Sequence, residues 1–169
     1  MKKHIFITNG MARCGKDTFA MFVSELLPTW KYSSIDRVKY IASQCGWNGG
    51  KTEKDRKFLS DLKVLTSEYS DMPFNSVSDK VNIFNSSDEF QVMLIDIREP
   101  EEIEKAKIVF GAKTILIKND NVEHIDSNMA DANVYNYEYD YVIENNGTLE
   151  EFRETVRRFV EDHMLTEGV

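Results

Sequence analysis

Apolar positions follow two periods along the chain, and the periods alternate. His4–Thr8 is a short apolar run that predicts a buried strand. From Lys16 to Leu27, the positions Phe19, Phe22, Val23, Leu26 and Leu27 recur at helical spacing, and Pro28 stops the pattern. Trp30–Ile35 predicts a second strand. A helix follows from Asp36, with Val38, Ile41 and Ala42 on one side, and it breaks at Gly46-Trp47-Asn48-Gly49-Gly50. Thr52 and Asp55 have the spacing of a capping box, with the shorter acid in place of Glu, and open a helix carrying Phe58, Leu59, Leu62 and Leu65. Asp71-Met72-Pro73 marks the next stop, and Val77, Val81 and Phe84 predict a further helix.

Phe90–Ile97 is almost continuously apolar, as expected of a strand covered on both faces. Pro100 then occupies a helix start, and Glu101, Glu102 and Glu104 suit the positive end of its dipole. Lys113–Lys118 and Tyr139–Ile143 predict two more strands. Thr148 and Glu151 form a second capping box ahead of Phe152, Val156, Phe159 and Val160. Five strands alternating with helices predict one three-layer α/β/α domain with a mainly parallel five-stranded sheet. The stretch Asn119–Tyr141 breaks the rhythm, with four tyrosines among many Asn and Asp residues, and is a candidate lid or binding loop.

Composition narrows the field. A chain of 169 residues is long enough to form one real core, and with 21 Lys plus Arg against 29 Asp plus Glu its formal charge is −8. That acidity argues against a stable nucleic-acid complex and against binding an anionic membrane surface. Cys14 and Cys45 provide no disulfide framework, and His4, His124 and His163 show no ligand spacing. The apolar stretch Ile5–Ile7 is too short for a secretion signal, and no run approaches a membrane span, so the expectation is a soluble cytoplasmic protein. A homodimer is compatible with the sequence.

One motif carries chemistry. Gly10-Met11-Ala12-Arg13-Cys14-Gly15-Lys16 fits GxxxxGK at the joint between the first strand and the first helix. Such a loop lets consecutive N–H groups curl around an anion, aims a helix N-terminus at it, and gives a Lys access to the β and γ oxygens of ATP. Asp17 follows where Ser or Thr usually supplies a hydroxyl ligand to Mg²⁺, and Thr18 lies roughly 100° further around the helix. Cys14 sits at a helix N-terminus, a place that lowers a thiol pKa; the plainer reading is a small residue beside bound phosphate.

At these residues the chain resembles phage-type deoxynucleoside monophosphate kinases, whose P-loop has the same Gly-Lys-Asp-Thr ending as Gly15 to Thr18. The Gly-Lys-Asp ending also occurs in animal-type phosphomevalonate kinases. Two further stretches are similar to the wider nucleoside monophosphate kinase superfamily: Asp96-Ile97-Arg98-Glu99-Pro100-Glu101-Glu102-Ile103, and Tyr141 through Leu149. The resemblance implies a P-loop NTPase fold, with ATP and Mg²⁺ as cofactors and small-molecule nucleotides as substrates.

It also implies roles. Residues Gly10, Met11, Ala12, Arg13, Cys14, Gly15, Lys16, Asp17 and Thr18 would hold the donor phosphates. Asp96, with Asp17, is a candidate metal-side carboxylate, or else Asp96 caps the turn before Glu99. Arg98 would bind phosphate through its planar fork, or pair with Glu101 or Glu102. The segment 36–90 is the candidate acceptor-binding insertion, with Asp36, Arg37 and Arg56 as candidate contacts. Lys51, Lys54, Arg56, Lys57 and Lys63 otherwise read as a solvated helix face. The segment 119–141 is the candidate lid, yet from Asn119 through Phe152 there is no Lys or Arg. Charge on a transferred phosphoryl group must then be met by Lys16, Arg13, Arg98 or the Lys51–Lys63 region. Three functions are open at this point: phosphorylation of a (deoxy)nucleoside monophosphate, phosphorylation of another small metabolite, or nucleotide sensing without turnover. Tyr135, Tyr137, Tyr139 and Tyr141 alternate as on a strand with an aromatic face, and base stacking by one of them is the bolder alternative.

Overall fold

The computed structural model describes residues 2–122 and 133–165. Its strands are β1 (His4–Asn9), β2 (Thr29–Ser33), β3 (Val92–Asp96), β4 (Lys113–Lys118) and β5 (Tyr141–Glu144). Its helices are α1 (Lys16–Leu26), α2 (Asp36–Gln44), α3 (Glu53–Ser70), α4 (Met72–Ser86), α5 (Pro100–Phe110) and α6 (Leu149–Val160). The sheet has the order β2-β3-β1-β4-β5, and every adjacent pair is parallel.

Period-two side chains put one set of each strand on either face. Phe6, Leu94, Ile115 and Ile117 pack with Phe19, Phe22 and Val23 of α1 and Phe152, Val156 and Phe159 of α6. Ile7, Met93 and Ile95 pack on the opposite face with Val77, Val81 and Phe84 of α4 and Ile103 and Ala106 of α5. Full burial of each large side chain contributes about 1.5–3 kcal/mol, and these two clusters hold the layers together. Both expected capping boxes are formed. The Thr148 hydroxyl accepts the Glu151 N–H at 3.2 Å, while the Glu151 carboxylate accepts the Thr148 N–H at 2.7 Å. The same exchange joins Thr52 and Asp55.

The topology decides where a ligand can sit. β1 leads into α1 on one face, whereas its neighbour β3 leads into α5 on the other. The chain therefore parts between β1 and β3, and open parallel sheets bind ligands in that crevice, beyond the strand C-termini.

The expected five-stranded parallel sheet is found, with every pairing parallel, while several boundaries and burial readings change. β2 ends at Ser33, because Asp36 takes the Ser33 N–H at 2.9 Å and turns the chain. Leu26 is exposed, and no side chain of α3 is fully buried, so the apolar positions of that helix are only partly covered. Tyr139 and Asp140 precede β5 rather than opening it. Among the described residues no helix is long and apolar enough to cross a membrane.

Candidate functional site

The loop between β1 and α1 is shaped by three residues with positive φ: Gly10 at 153°, Arg13 at 65° and Gly15 at 104°. Gly15 is the N-cap of α1 and no side chain caps that terminus, so its first N–H groups face the loop without an internal partner. A Cβ on Gly10 would lie 2.4 Å from the Ile117 carbonyl oxygen and 2.6 Å from the Cys14 sulfur. Glycine is needed there for space as well as for backbone freedom.

Neighbouring elements pin the loop. Asn9, the last residue of β1, accepts the Gly10 N–H at 2.8 Å. Its amide donates to the Arg98 carbonyl at 3.2 Å and to the Tyr139 hydroxyl at 2.8 Å. Tyr139 donates in turn to the Val134 carbonyl at 2.8 Å, and burial pushes its phenol up to about 12. From the turn after β5, the Asn145 amide donates to the Cys14 carbonyl at 3.0 Å. Lys16 curls back over the loop and donates to the Gly10 and Met11 carbonyls at 2.7 and 3.2 Å.

An acidic pair stands beside the loop. Asp96 ends β3; one carboxylate oxygen accepts the Thr8 hydroxyl at 2.5 Å and the other faces the Lys31 ammonium at 3.1 Å. Lys31 also pairs with Asp17 in the first turn of α1. That bond holds the Asp17 carboxyl below the usual carboxylate range. Burial works against the charge on Lys31, but Asp17 and Asp96 outweigh it and its pKa rises. Cys14 behaves opposite to the expectation from its helix position: it is buried, and burial raises its thiol pKa more than Lys16 lowers it.

The sequence-derived candidates fall into two groups. Residues Gly10 to Thr18 and Asp96 converge at one edge of the sheet, with Arg98 two residues beyond Asp96 and exposed. The proposed acceptor contacts are engaged locally: Asp36 caps the turn after β2, and the Arg37 guanidinium lies 5.0 Å from the Tyr40 ring centre. Arg56 is exposed in the first turn of α3, and no contact among the described residues brings it to the loop. Lys63 of the basic cluster pairs with Glu102 of α5 at 2.8 Å, tying α3 to α5. Residues 123–132 of the candidate lid, His124 among them, lie outside the described residues.

Thr8, Asn9 and Lys31 were not singled out from the sequence, and Tyr139 and Asn145 entered there only as members of a tyrosine alternation and of the stretch after the last strand. A Lys inside a strand, between Trp30 and Tyr32, is the one signal that was there to be read. A cavity of about 180 Å³ opens beyond Asp96, between α3, α4 and α5. Phe74, Val77 and Ile97 form its apolar lining, and Ser34, Asp71, Glu101, Glu102 and Lys105 supply polar groups.

The residues suit MgATP. An uncapped helix N-terminus, a curled loop and Lys16 offer donors to phosphate, and Asp96, Asp17 and Thr8 offer hard oxygen ligands. Among the described residues no three His, Cys, Asp or Glu converge, so a divalent ion here would complete its shell with water or phosphate oxygens.

No family model matches the chain, and no curated protein matches it. Solved structures do. A sugar kinase from Janibacter superposes with a TM-score of 0.54 at 11% identity, covering 100% of both chains. Dephospho-CoA kinase from Campylobacter jejuni gives 0.51 at 15% identity, over 95% of this chain and 97% of its own. TT1252 from Thermus thermophilus also gives 0.51 at 15% identity, over 97% and 100%. The fold is that of P-loop kinases. The sugar kinase and the dephospho-CoA kinase are named for different acceptors, so the shared fold by itself names no substrate for this chain.

Proposed function

We propose that the chain is an ATP-dependent phosphotransferase whose acceptor is a (deoxy)nucleoside monophosphate, released as the diphosphate. The observation that carries the donor half is the meeting of the uncapped α1 N-terminus and Lys16 with the carboxylates of Asp96 and Asp17 at the crevice between β1 and β3. Bound MgATP supplies the γ-phosphoryl group. The loop N–H groups orient its phosphates, and Lys16 leaves the Gly10 and Met11 carbonyls to meet the β and γ oxygens. Such chemistry needs positioning and charge more than covalent help.

The cavity supports the acceptor half. Ile97 and Ser34 border it, so it opens beside Asp96, and Phe74, Val77 and Ile97 give it an apolar wall, with the Phe74 ring itself stacked on Phe110 and its centre 3.9 Å from the Lys105 ammonium. Carboxylates at Asp71, Glu101 and Glu102 can accept from amino and hydroxyl groups, while Arg98 at the same sheet edge suits the phosphate. The Gly-Lys-Asp-Thr ending of the loop favours the deoxynucleotide version. A second reading has its own observation: three carboxylates to one Lys in the lining favour an acceptor entering by a hydroxyl.

ADP release measured over a panel of monophosphates and hydroxyl-bearing metabolites separates these readings. Turnover with a dNMP supports the first and turnover only with another metabolite supports the second. ATP binding with no turnover on any acceptor overturns both. The Lys16→Ala variant should lose at least 10²-fold in turnover, the scale of one preorganised charge-stabilising donor. Wild-type turnover in that variant would refute the donor site.

A further inference from the structure

Lys31 touches both carboxylates of the site. It stands on β2, whose register pairs Lys31 with Leu94 and Ser33 with Asp96 on β3. Register partners in a parallel sheet share a face, and Leu94 packs toward α1. The strand therefore aims Lys31 at the first turn of α1, where Asp17 stands. Its ammonium bonds Asp17 and lies 3.1 Å from Asp96 Oδ2, while Thr8 holds Oδ1 at 2.5 Å. Both oxygens of Asp96 thus face protein groups, and the same ammonium bonds one oxygen of the exposed Asp17, so a divalent ion bridging the two carboxylates must take the place Lys31 holds.

We propose that Lys31 is the resident counter-cation of the Asp17–Asp96 pair: a divalent ion reaches these carboxylates by displacing its ammonium, which then turns to the phosphates. The inference goes beyond phosphotransfer itself, because it concerns how one seat is shared between two cations.

The reason lies in charge. A carboxylate at position 17 in place of a hydroxyl brings two negative charges beside a loop built for phosphate. Without Lys31 those charges repel phosphate and invite metal; with it half of the pair's charge is neutralised and metal must compete. The exposures allow the exchange. The side chains of Asp17, Lys31 and Asp96 are 95%, 32% and 21% exposed, so the ammonium is held at the surface of the crevice and not locked in the core. A four-carbon stem with rotatable donors can swing where a planar guanidinium could not.

The test uses Mn²⁺ alone on the nucleotide-free protein, read by electron spin resonance of free Mn²⁺, so no turnover is involved. Lys31→Met should bind Mn²⁺ at least tenfold tighter than wild type, and adding Asp17→Asn should cancel the gain. In the same variant, ATP binding in the presence of EDTA should weaken at least tenfold. Lys31→Gln serves as the second variant, and each is accepted only with a cooperative thermal melt. Mn²⁺ affinity unchanged in both variants would overturn the proposal, as would a gain that survives Asp17→Asn. Because the acceptor plays no part in either measurement, failure here is distinct from failure of the phosphotransferase assignment.

Discussion

At position 10 a single hydrogen atom decides whether the loop closes. The φ of 153° is one that L side chains rarely adopt, and a methyl group would meet the Ile117 carbonyl, which is sheet backbone and cannot yield. Gly10→Ala should therefore cost about 1–3 kcal/mol from backbone strain, before any repacking of Cys14. Urea unfolding of the nucleotide-free protein measures it, and a loss below 0.5 kcal/mol (roughly the level of a surface substitution) would show that the loop shifts freely. Residues of this kind were legible in the sequence, since the GxxxxGK spacing names its own glycines. Lys31 was not. A Lys in a strand gives no partner until strand order is known, and only the β2-β3-β1 order, with its register, brings Lys31 beside Asp96 and the start of α1.

Among the elements, β5 shows why periodicity alone misplaced a boundary. Four alternating tyrosines suggested a strand with an aromatic face, but only Tyr141 lies in one. Tyr139 bolts Asn9 to Val134, and Tyr137 donates to Glu104 at 2.7 Å. Asn9 and Glu104 are long-range partners that no local pattern encodes. Asp140 between them is a joint of the fold. Its carboxylate accepts the Thr114 N–H at 2.8 Å and the Thr114 hydroxyl at 2.9 Å, with Lys107 of α5 at 3.3 Å, and its side chain is 19% exposed. Burial alone would raise its pKa, but the Thr114 donors and Lys107 outweigh it and the pKa is lowered. The folded state thus favours the ionised form. That contribution is complete above the ordinary carboxylate value and disappears as pH falls through the depressed one. Asp140→Asn should lose about 1 kcal/mol at pH 7 and show a shallower decline in stability below about pH 4 than wild type. Denaturant midpoints at pH 7, 5, 4 and 3 test this; parallel curves for the two proteins would return the acid limb to other carboxylates.

For the whole molecule, the layered fold followed from alternating patterns, and the position of the site followed from placing the phosphate motif at the first strand-helix joint. Strand order, the crevice between β1 and β3, and the clasp of Asn9 and Asn145 on the loop followed from neither. They depend on which strands meet, and only that meeting brings Lys31 beside Asp96 in a chain of net charge −8. The nucleotide-free loop is already closed: Lys16 is bonded to the loop's own carbonyls, and no described bond links it to another element. Phosphate binding should therefore add stability to the domain without having to fold it. A ligand at 100 times its Kd adds about 2.7 kcal/mol, and for a domain of this size each kcal/mol moves Tm by about 2–4 °C. ATP at that concentration should raise Tm by about 5–11 °C in wild type. Lys16→Ala should melt within about 2 °C of wild type without ligand, because it loses only exchangeable bonds to the loop, and should show little of the ATP shift. Differential scanning fluorimetry with and without ATP measures both quantities, whatever the acceptor. An undiminished ATP shift in Lys16→Ala would mean that the phosphates are held by groups other than this lysine.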